Sequence, residues 1–175
     1  MRHGETDWNA EQRVQGHADP SLNARGREQA RALAASLAGE RIAAIYSSDL
    51  ARARETAEIV AEALSLDVRV DAALREFDTG NWTGLTRDEI RRRFPDDARH
   101  DGETRDELVA RIGAALTQIS DEHPGERVLV VTHGGPLRWT LHAAGGEVLE
   151  RIENCGVYRM ALRDGALRQA TGAGA

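Results

Sequence analysis

The chain opens on residues whose types and spacing suit phosphoryl chemistry. Arg2, His3 and Gly4 stand side by side, and Glu5-Thr6 and Trp8-Asn9 complete the same short loop. A neutral imidazole can attack phosphorus and form a phosphohistidine, provided that cations hold the equatorial oxygens. Arg2 can supply a forked set of donors, and Gly4 lets the backbone come close to an anion. These residues indicate a nucleophile, His3, beside an anion-binding arginine.

A second histidine follows a segment that reads as a buried strand. Residues 128–132 are almost all Val and Leu, which is typical of a strand covered on both faces. His133, Gly134 and Gly135 come directly after it, at the strand end where open α/β sheets carry their sites. The glycine pair indicates close approach of the backbone to another group. The alternative is a histidine that is simply packed behind a buried strand.

The elements that must position these residues alternate between helix and strand. Apolar residues recur at helical spacing over 30–37, 53–64 and 108–119, and β-prone runs occupy 42–46, 68–70 and 128–132. This alternation predicts an α/β fold, a three-layer sandwich in which helices flank a mostly parallel central sheet. The remaining predicted elements are a short helix over 86–94 that Pro95 ends, and a terminal hairpin formed by 157–162 and 167–170 around Asp164-Gly165.

Length and composition predict one globular domain over 1–175, with a frayed tail at 171–175. The 175 residues include 41% hydrophobic and 30% charged residues, a balance typical of soluble domains. The net charge of −6 provides no long-range attraction to nucleic acid or to an anionic membrane, so local cations must hold any bound anion. The single cysteine, Cys155, is expected to be a packed residue, and a cytoplasmic location fits a chain without a disulfide or a signal segment.

Taken in order, the motifs resemble the histidine phosphatases of the phosphoglycerate mutase superfamily. A lone Arg-His-Gly arises by chance, but six blocks in the family's order are specific, and they extend over nearly the whole chain. The blocks are Arg2-His3-Gly4-Glu5-Thr6 with Trp8-Asn9, Val14-Gln15-Gly16 with Leu22 and Gly26, Ser47-Ser48-Asp49-Leu50-Ala51-Arg52-Ala53, Leu74-Arg75-Glu76 with Gly80 and Trp82, Gly102-Glu103-Thr104, and Thr132-His133-Gly134-Gly135.

The resemblance implies a role for each matched residue and requires no metal or other cofactor. His3 would be the nucleophile, and Arg2, Arg52 and a protonated His133 would surround the phosphoryl group. Glu76 would be the proton donor, because a departing alkoxide is a poor leaving group unless it is protonated. The residues expected to make further phosphate or substrate contacts are Asn9, Gln15, Gly16 and Gly134.

Two of these roles compete with simpler readings. Arg52 lies early in a predicted helix near Glu55 and Glu58, where a solvated ion pair is the usual interpretation. Glu76 could be an ordinary loop carboxylate. The spacing of the surrounding blocks favours the functional reading of both residues.

The resemblance also implies a strand that this sequence lacks. Family members have a short apolar strand before Arg-His-Gly, whereas only Met1 precedes Arg2 here. We therefore expect the first central strand to be missing or truncated, with unpaired backbone groups on its neighbours and a poorly anchored His3. On this view, a chain extended upstream would be more stable and more active.

The preferred function is that of a metal-independent phosphomonoesterase, a hydrolase of small phosphorylated metabolites that releases inorganic phosphate. The first alternative is a cofactor-dependent phosphoglycerate mutase, but residues 77–101, expected to form a small cap over the site, are too few for the longer insertion of the mutases. An α-ribazole phosphatase, a glucosyl-3-phosphoglycerate phosphatase and a non-catalytic module that binds phosphorylated ligands are further alternatives. No nucleic acid or membrane partner is expected, and a homodimer is compatible with the sequence.

Overall fold

Helices and short strands alternate along most of the computed structural model, which describes residues 1–96, 99, 101–163 and 166–169. Two 3₁₀ turns, Ala72–Leu74 and Gly80–Trp82, flank the segment that carries Glu76. In chain order the elements are α1 (Asp7–Ala10), α2 (Ala24–Leu37), β1 (Ala44–Ser47), α3 (Ala51–Leu64), β2 (Val68–Val70), α4 (Arg87–Arg93), α5 (Arg105–Glu122), β3 (Val128–Val131), α6 (Gly134–Ala143), β4 (Met160–Arg163) and β5 (Ala166–Gln169).

The central sheet has the order β2-β1-β3, and both pairings are parallel. Ile45 of β1 lies opposite Val68 of β2 on one side and Leu129 of β3 on the other. The three strands are joined by helices, as parallel strands must be. The parallel arrangement brings the carboxyl ends of all three strands to one edge of the sheet, where Ser48 and His133 follow β1 and β3.

The first three residues extend this sheet beyond β3. The His3 N–H donates to the Thr132 carbonyl at 3.0 Å, and the Thr132 N–H donates to the Met1 carbonyl at 2.9 Å. On the other side of the segment, the Cys155 N–H donates to the Arg2 carbonyl at 3.1 Å. The expectation of unpaired neighbours and a poorly anchored His3 is therefore wrong at Thr132 and Cys155, because Met1 to His3 bonds to both.

Alternate residues of β1 face two separate hydrophobic clusters, which gives the three layers. Ile45 joins the cluster formed with α2, α3 and β3, while Ala44 and Tyr46 join Ala115 and Ile119 of α5 on the opposite face. Cys155 packs against the first of these clusters, as predicted, and burial raises its thiol pKa to about 11. The predicted α/β sandwich is confirmed.

The predicted helices and strands correspond to the structure with small shifts at their ends. The strand predicted from Ile42 begins at Ala44, because Ile42 turns back to bond with the Glu40 carbonyl. The terminal hairpin is present as β4 and β5, but it begins at Met160 rather than at Val157. The predicted turn Asp164-Gly165 and the predicted tail 171–175 lie outside the described residues. No described helix is long and apolar enough to cross a membrane.

Candidate active site

His3 lies at the carboxyl edge of the sheet, where its backbone bond to Thr132 fixes it beside β3. The following residue, Gly4, donates its N–H to Thr56 Oγ1 at 3.0 Å. A side chain at Gly4 would place its Cβ 2.5 Å from the Gly26 carbonyl oxygen, so the loop can contact α2 this closely only with glycine. The loop that carries His3 is therefore held by β3, α3 and α2 together.

The His3 side chain is held in one tautomer. It is 1% exposed, and its Nδ1 lies 2.6 Å from the Gly4 carbonyl oxygen. Because a carbonyl oxygen only accepts, Nδ1 must carry the proton, which leaves a lone pair on Nε2. Burial, and then the charges of Arg2 and Arg52, lower the His3 pKa well below the ordinary 6.5. His3 is therefore a neutral imidazole whose Nε2 lone pair can act as a nucleophile.

His133 lies next to His3, at the junction of β3 and α6. The two ring centroids are 5.2 Å apart with an angle of 58° between the planes. Among the described residues, neither ring nitrogen of the fully buried His133 has a hydrogen-bond partner. Burial, followed by the charge of Arg52, lowers its pKa well below 6.5. Burial therefore favours a neutral His133 ring, whereas the protonated His133 expected from the sequence belongs to the complex with a phosphate dianion.

Arg52 is fully buried in the first turn of α3, so the solvated ion pair considered above is wrong. Its Nη1 donates to the Ala18 carbonyl at 2.7 Å and its Nη2 to the Gly16 carbonyl at 2.9 Å. Burial lowers its pKa to about 10, which leaves the guanidinium charged at neutral pH. Gly16, a predicted substrate contact, accepts the second of these bonds with its backbone carbonyl. Its φ of +49° is a conformation that favours glycine.

Arg2 approaches the same space from the edge of the sheet. Its Nη1 donates to the Ile152 carbonyl at 2.5 Å, and burial lowers its pKa. Gly134 brings Arg2 and Glu76 together, because a Cβ built there would lie 3.8 Å from Arg2 Nε and 3.9 Å from Glu76 Oε2. Within the described part of the chain, the buried Nε atoms of Arg2 and Arg52 have no acceptor.

Glu76 lies in the irregular segment between the two 3₁₀ turns. Its Oε1 accepts the Phe77 N–H at 2.8 Å and the Gly135 N–H at 3.0 Å. A Cβ at Gly135 would collide with the Glu76 carboxylate, which explains the glycine at this position. The first turn of α6 thus fixes the carboxylate of Glu76 beside Arg2.

The other two predicted substrate contacts use their carbonyl oxygens within the protein. Gln15 Oε1 accepts from the Thr6 hydroxyl at 2.9 Å, and Asn9 Oδ1 accepts the Thr6 N–H at 3.1 Å in the capping box of α1. The amide NH₂ groups of Gln15 and Asn9 are the donors that could contact a substrate. Asn154, which the sequence did not single out, donates to the His3 carbonyl at 3.0 Å.

Two further side chains contact the backbone of Glu76, and sequence reasoning assigned neither to the site. His17 lies with its Nε2 2.9 Å from the Glu76 carbonyl oxygen. Arg111 contacts the same carbonyl from α5 at 3.4 Å. Arg111 follows Glu103 by eight residues. This spacing of opposite charges is the signal in the sequence that could have indicated a pair between them.

The unpaired donors of the site suit a tetrahedral anion. A buried polar group without a partner costs about 1–3 kcal/mol, so two such guanidinium Nε–H groups beside two unpaired imidazole nitrogens of His133 point to a polar ligand. Across the described ranges, no group of three or more His, Cys, Asp or Glu side chains is placed to hold a metal ion. The geometry therefore brings a neutral imidazole, two cations and one carboxylate together at the carboxyl edge of the sheet.

Comparisons with known proteins identify the family of this chain. A family model described as the histidine phosphatase superfamily (branch 1) matches residues 1–170. Phosphoglycerate mutase-like protein 4 of Arabidopsis thaliana is 41% identical over 181 residues, covering 94% of this chain and 79% of that protein.

Two solved structures share the fold over nearly the whole chain. YhfR of Bacillus stearothermophilus superposes with a TM-score of 0.88 at 36% identity, over 97% of this chain and 93% of the other. The mycobacterial glucosyl-3-phosphoglycerate phosphatase, solved with VO₃, gives a TM-score of 0.87 at 31% identity with the same coverage. The resemblance seen in the six sequence blocks is confirmed: the chain belongs to the histidine phosphatase superfamily (branch 1) and is a hydrolase of phosphate monoesters.

Proposed function

We propose that the protein hydrolyses small phosphorylated metabolites through a phosphohistidine formed on His3, with Glu76 as general acid and base. The observation that carries the proposal is the buried His3, whose Nδ1 lies 2.6 Å from the Gly4 carbonyl oxygen, so that the neutral ring keeps its lone pair on Nε2. Arg2 and Arg52 place two buried positive charges beside that nucleophile. This combination favours attack on a phosphate dianion over any chemistry that needs a cationic imidazole.

The reaction has two displacements at phosphorus. In the first, the His3 Nε2 lone pair forms the P–N bond while the bond from phosphorus to the alcohol oxygen breaks, and Glu76 donates a proton to that oxygen. In the second, Glu76 accepts a proton from water, the water oxygen bonds to phosphorus, and the P–N bond breaks. Inorganic phosphate leaves, and Nε2 regains its lone pair.

Retention of the phosphoryl group for a second acceptor would make the protein a mutase. Two relatives, named phosphoglycerate mutase-like protein 4 and probable phosphoglycerate mutase GpmB, are 41% and 40% identical to this chain and give this alternative its support. The short segment 77–101 argues for water as the acceptor, because it provides few residues to hold a bound acid. A single-turnover experiment with added 3-phosphoglycerate distinguishes the two reactions. Hydrolysis releases one inorganic phosphate for each alcohol released, whereas a mutase transfers the phosphoryl group to 3-phosphoglycerate.

The experiment that tests the proposal follows the intermediate directly. After rapid mixing with p-nitrophenyl phosphate and quenching, we expect a burst of nitrophenolate and an acid-labile phosphoprotein that H3A lacks. An acid-labile phosphoprotein that still forms in H3A would overturn the assignment of the nucleophile. Binding of the ester without turnover would instead identify a non-catalytic module. A panel of phosphorylated metabolites, ranked by kcat/KM, then identifies the substrate class.

A further inference from the structure

Arg111 joins α5 to the irregular segment that carries Glu76. Its Nη1 donates to the Ala73 carbonyl at 2.7 Å and to the Arg75 carbonyl at 3.2 Å, and its Nη2 donates to the Glu76 carbonyl at 3.4 Å. The residues between the two 3₁₀ turns have no helix or strand to pair their carbonyls. One guanidinium therefore donates to three carbonyls in and beside this stretch of backbone.

Glu103 orients Arg111 from the opposite side. Its two oxygens accept from Arg111 Nε at 2.8 Å and from Nη2 at 2.7 Å, which is the bidentate geometry of a strong arginine–carboxylate pair. Glu103 also bonds to Asp78 through both backbone and side chain, at 3.1 Å and 3.4 Å. The pair is largely shielded, with side-chain exposures of 25% for Arg111 and 13% for Glu103. It therefore holds the chain on both sides of Glu76.

We propose that Arg111, aligned by Glu103, is a positioning residue for the proton transfer by Glu76. The inference rests on the proposed function, because it assumes that Glu76 protonates the leaving group. Arg111 contacts only the backbone carbonyl of Glu76, while the carboxylate bonds to Gly135 and Phe77. Removal of Arg111 would release the segment and shift the carboxylate, and a displacement of about 1 Å can cost roughly 100-fold in rate.

The dependence of the reaction on its leaving group distinguishes positioning from a general loss of structure. An alkyl phosphate such as glycerol phosphate needs the acid, whereas p-nitrophenolate leaves with little protonation. In the intact chain, we expect R111M to lower kcat/KM about 100-fold for glycerol phosphate and less than about 3-fold for p-nitrophenyl phosphate. R111K, which keeps the charge without the planar fork, should give an intermediate alkyl-to-aryl ratio.

A matched arginine provides the control. Arg27 pairs with Glu55 at 2.5 Å, and Glu55 also accepts a loop N–H from Leu22, but this pair lies between α2 and α3 and makes no bond to the Glu76 segment. R27M should leave the alkyl-to-aryl ratio unchanged. If R111M does not fold, R111K and E103Q carry the same test, because each weakens the pair while keeping a polar side chain.

The outcomes separate the two proposals. An equal loss for both substrates in the Arg111 and Glu103 variants, or no loss for either, would overturn the positioning role. E76Q provides the reference. If E76Q lowers the alkyl-to-aryl ratio of kcat/KM while the enzyme still forms the phosphohistidine, Glu76 is correctly assigned as the acid. The Arg111 result can then be interpreted on its own. A wild-type enzyme without an acid-labile intermediate, or an E76Q ratio equal to that of the wild type, would instead overturn the proposed function.

Discussion

Burial acts on four basic side chains of the site and leaves only two of them charged. It lowers the pKa of Arg52 to about 10 and that of Arg2 below its ordinary value, and both guanidinium groups remain protonated at neutral pH. The same desolvation takes His3 and His133 from 6.5 to well below it, which makes both rings neutral. The difference in intrinsic basicity therefore separates the two guanidinium cations from the two neutral imidazoles.

Binding of a phosphate dianion should reverse the state of His133. An anion beside the buried ring favours the imidazolium, so the His133 pKa rises and the complex takes up a proton. Calorimetric titration with orthovanadate or phosphate at pH 7, in two buffers of different ionisation enthalpy, measures the number of protons bound. We expect uptake in the wild type and a smaller uptake in H133N. An equal number in both proteins would show that the proton goes elsewhere.

Among the elements, the start of α2 packs closely against the loop that carries His3, because Gly26 of α2 contacts Gly4 and Glu5 of the loop. A Cβ at Gly26, in the first turn of α2, would lie 2.7 Å from Glu5 N and 2.9 Å from Glu5 C. The Asn23 N–H donates to the Glu5 carbonyl at 3.0 Å, and Asn23 also caps α2. The helix therefore cannot move away from the loop without losing this bond.

We predict that G26A destabilises the protein by about 1–3 kcal/mol, as overpacking does, and lowers kcat/KM because the loop of His3 must shift. Gly113, in the interior of α5, is the matched control: among the described residues no atom lies within 4 Å of a Cβ built there. G113A should stabilise the protein by roughly 0.5–1 kcal/mol through helix propensity alone. Urea unfolding measures both changes. Equal effects of the two substitutions would contradict the close contact.

The sequence predicted those elements that depend on local pattern. The apolar spacing in α3 and α5 requires one buried face, and the Val-Leu run of β3 is typical of a strand covered on both faces, so the pattern determines each element. Because the Val-Leu run predicts β3, the sequence also predicted that His133 lies directly after this strand. The role of Arg111 could not be predicted, because an arginine on a helix with acidic neighbours is typical of a solvated face, and its carbonyl partners lie up to 38 residues away in sequence.

At the scale of the whole molecule, the site places a stability cost on acidic pH. In the unfolded chain, His3 and His133 recover pKa values near 6.5, whereas the folded values lie well below this. Below pH 6.5 the unfolded state therefore binds more protons than the folded state, so the free energy of unfolding decreases as the pH falls. The loss continues until the pH reaches the folded pKa values. Above 6.5 both states hold neutral rings, and the penalty disappears.

Two buried imidazoles should therefore steepen the dependence of stability on pH. Each can contribute up to about 1.4 kcal/mol per pH unit between the unfolded and folded pKa values, and carboxylates elsewhere add their own slope at lower pH. Comparison with the non-titrating double variant H3N/H133N isolates the contribution of the histidines, because every other group is shared. Chemical unfolding at pH 7.5, 6.5 and 5.5 should show a smaller loss in the variant. Parallel pH dependences would mean that both rings are protonated in the folded state as readily as in the unfolded chain, which would remove the neutral nucleophile on which the proposed mechanism depends.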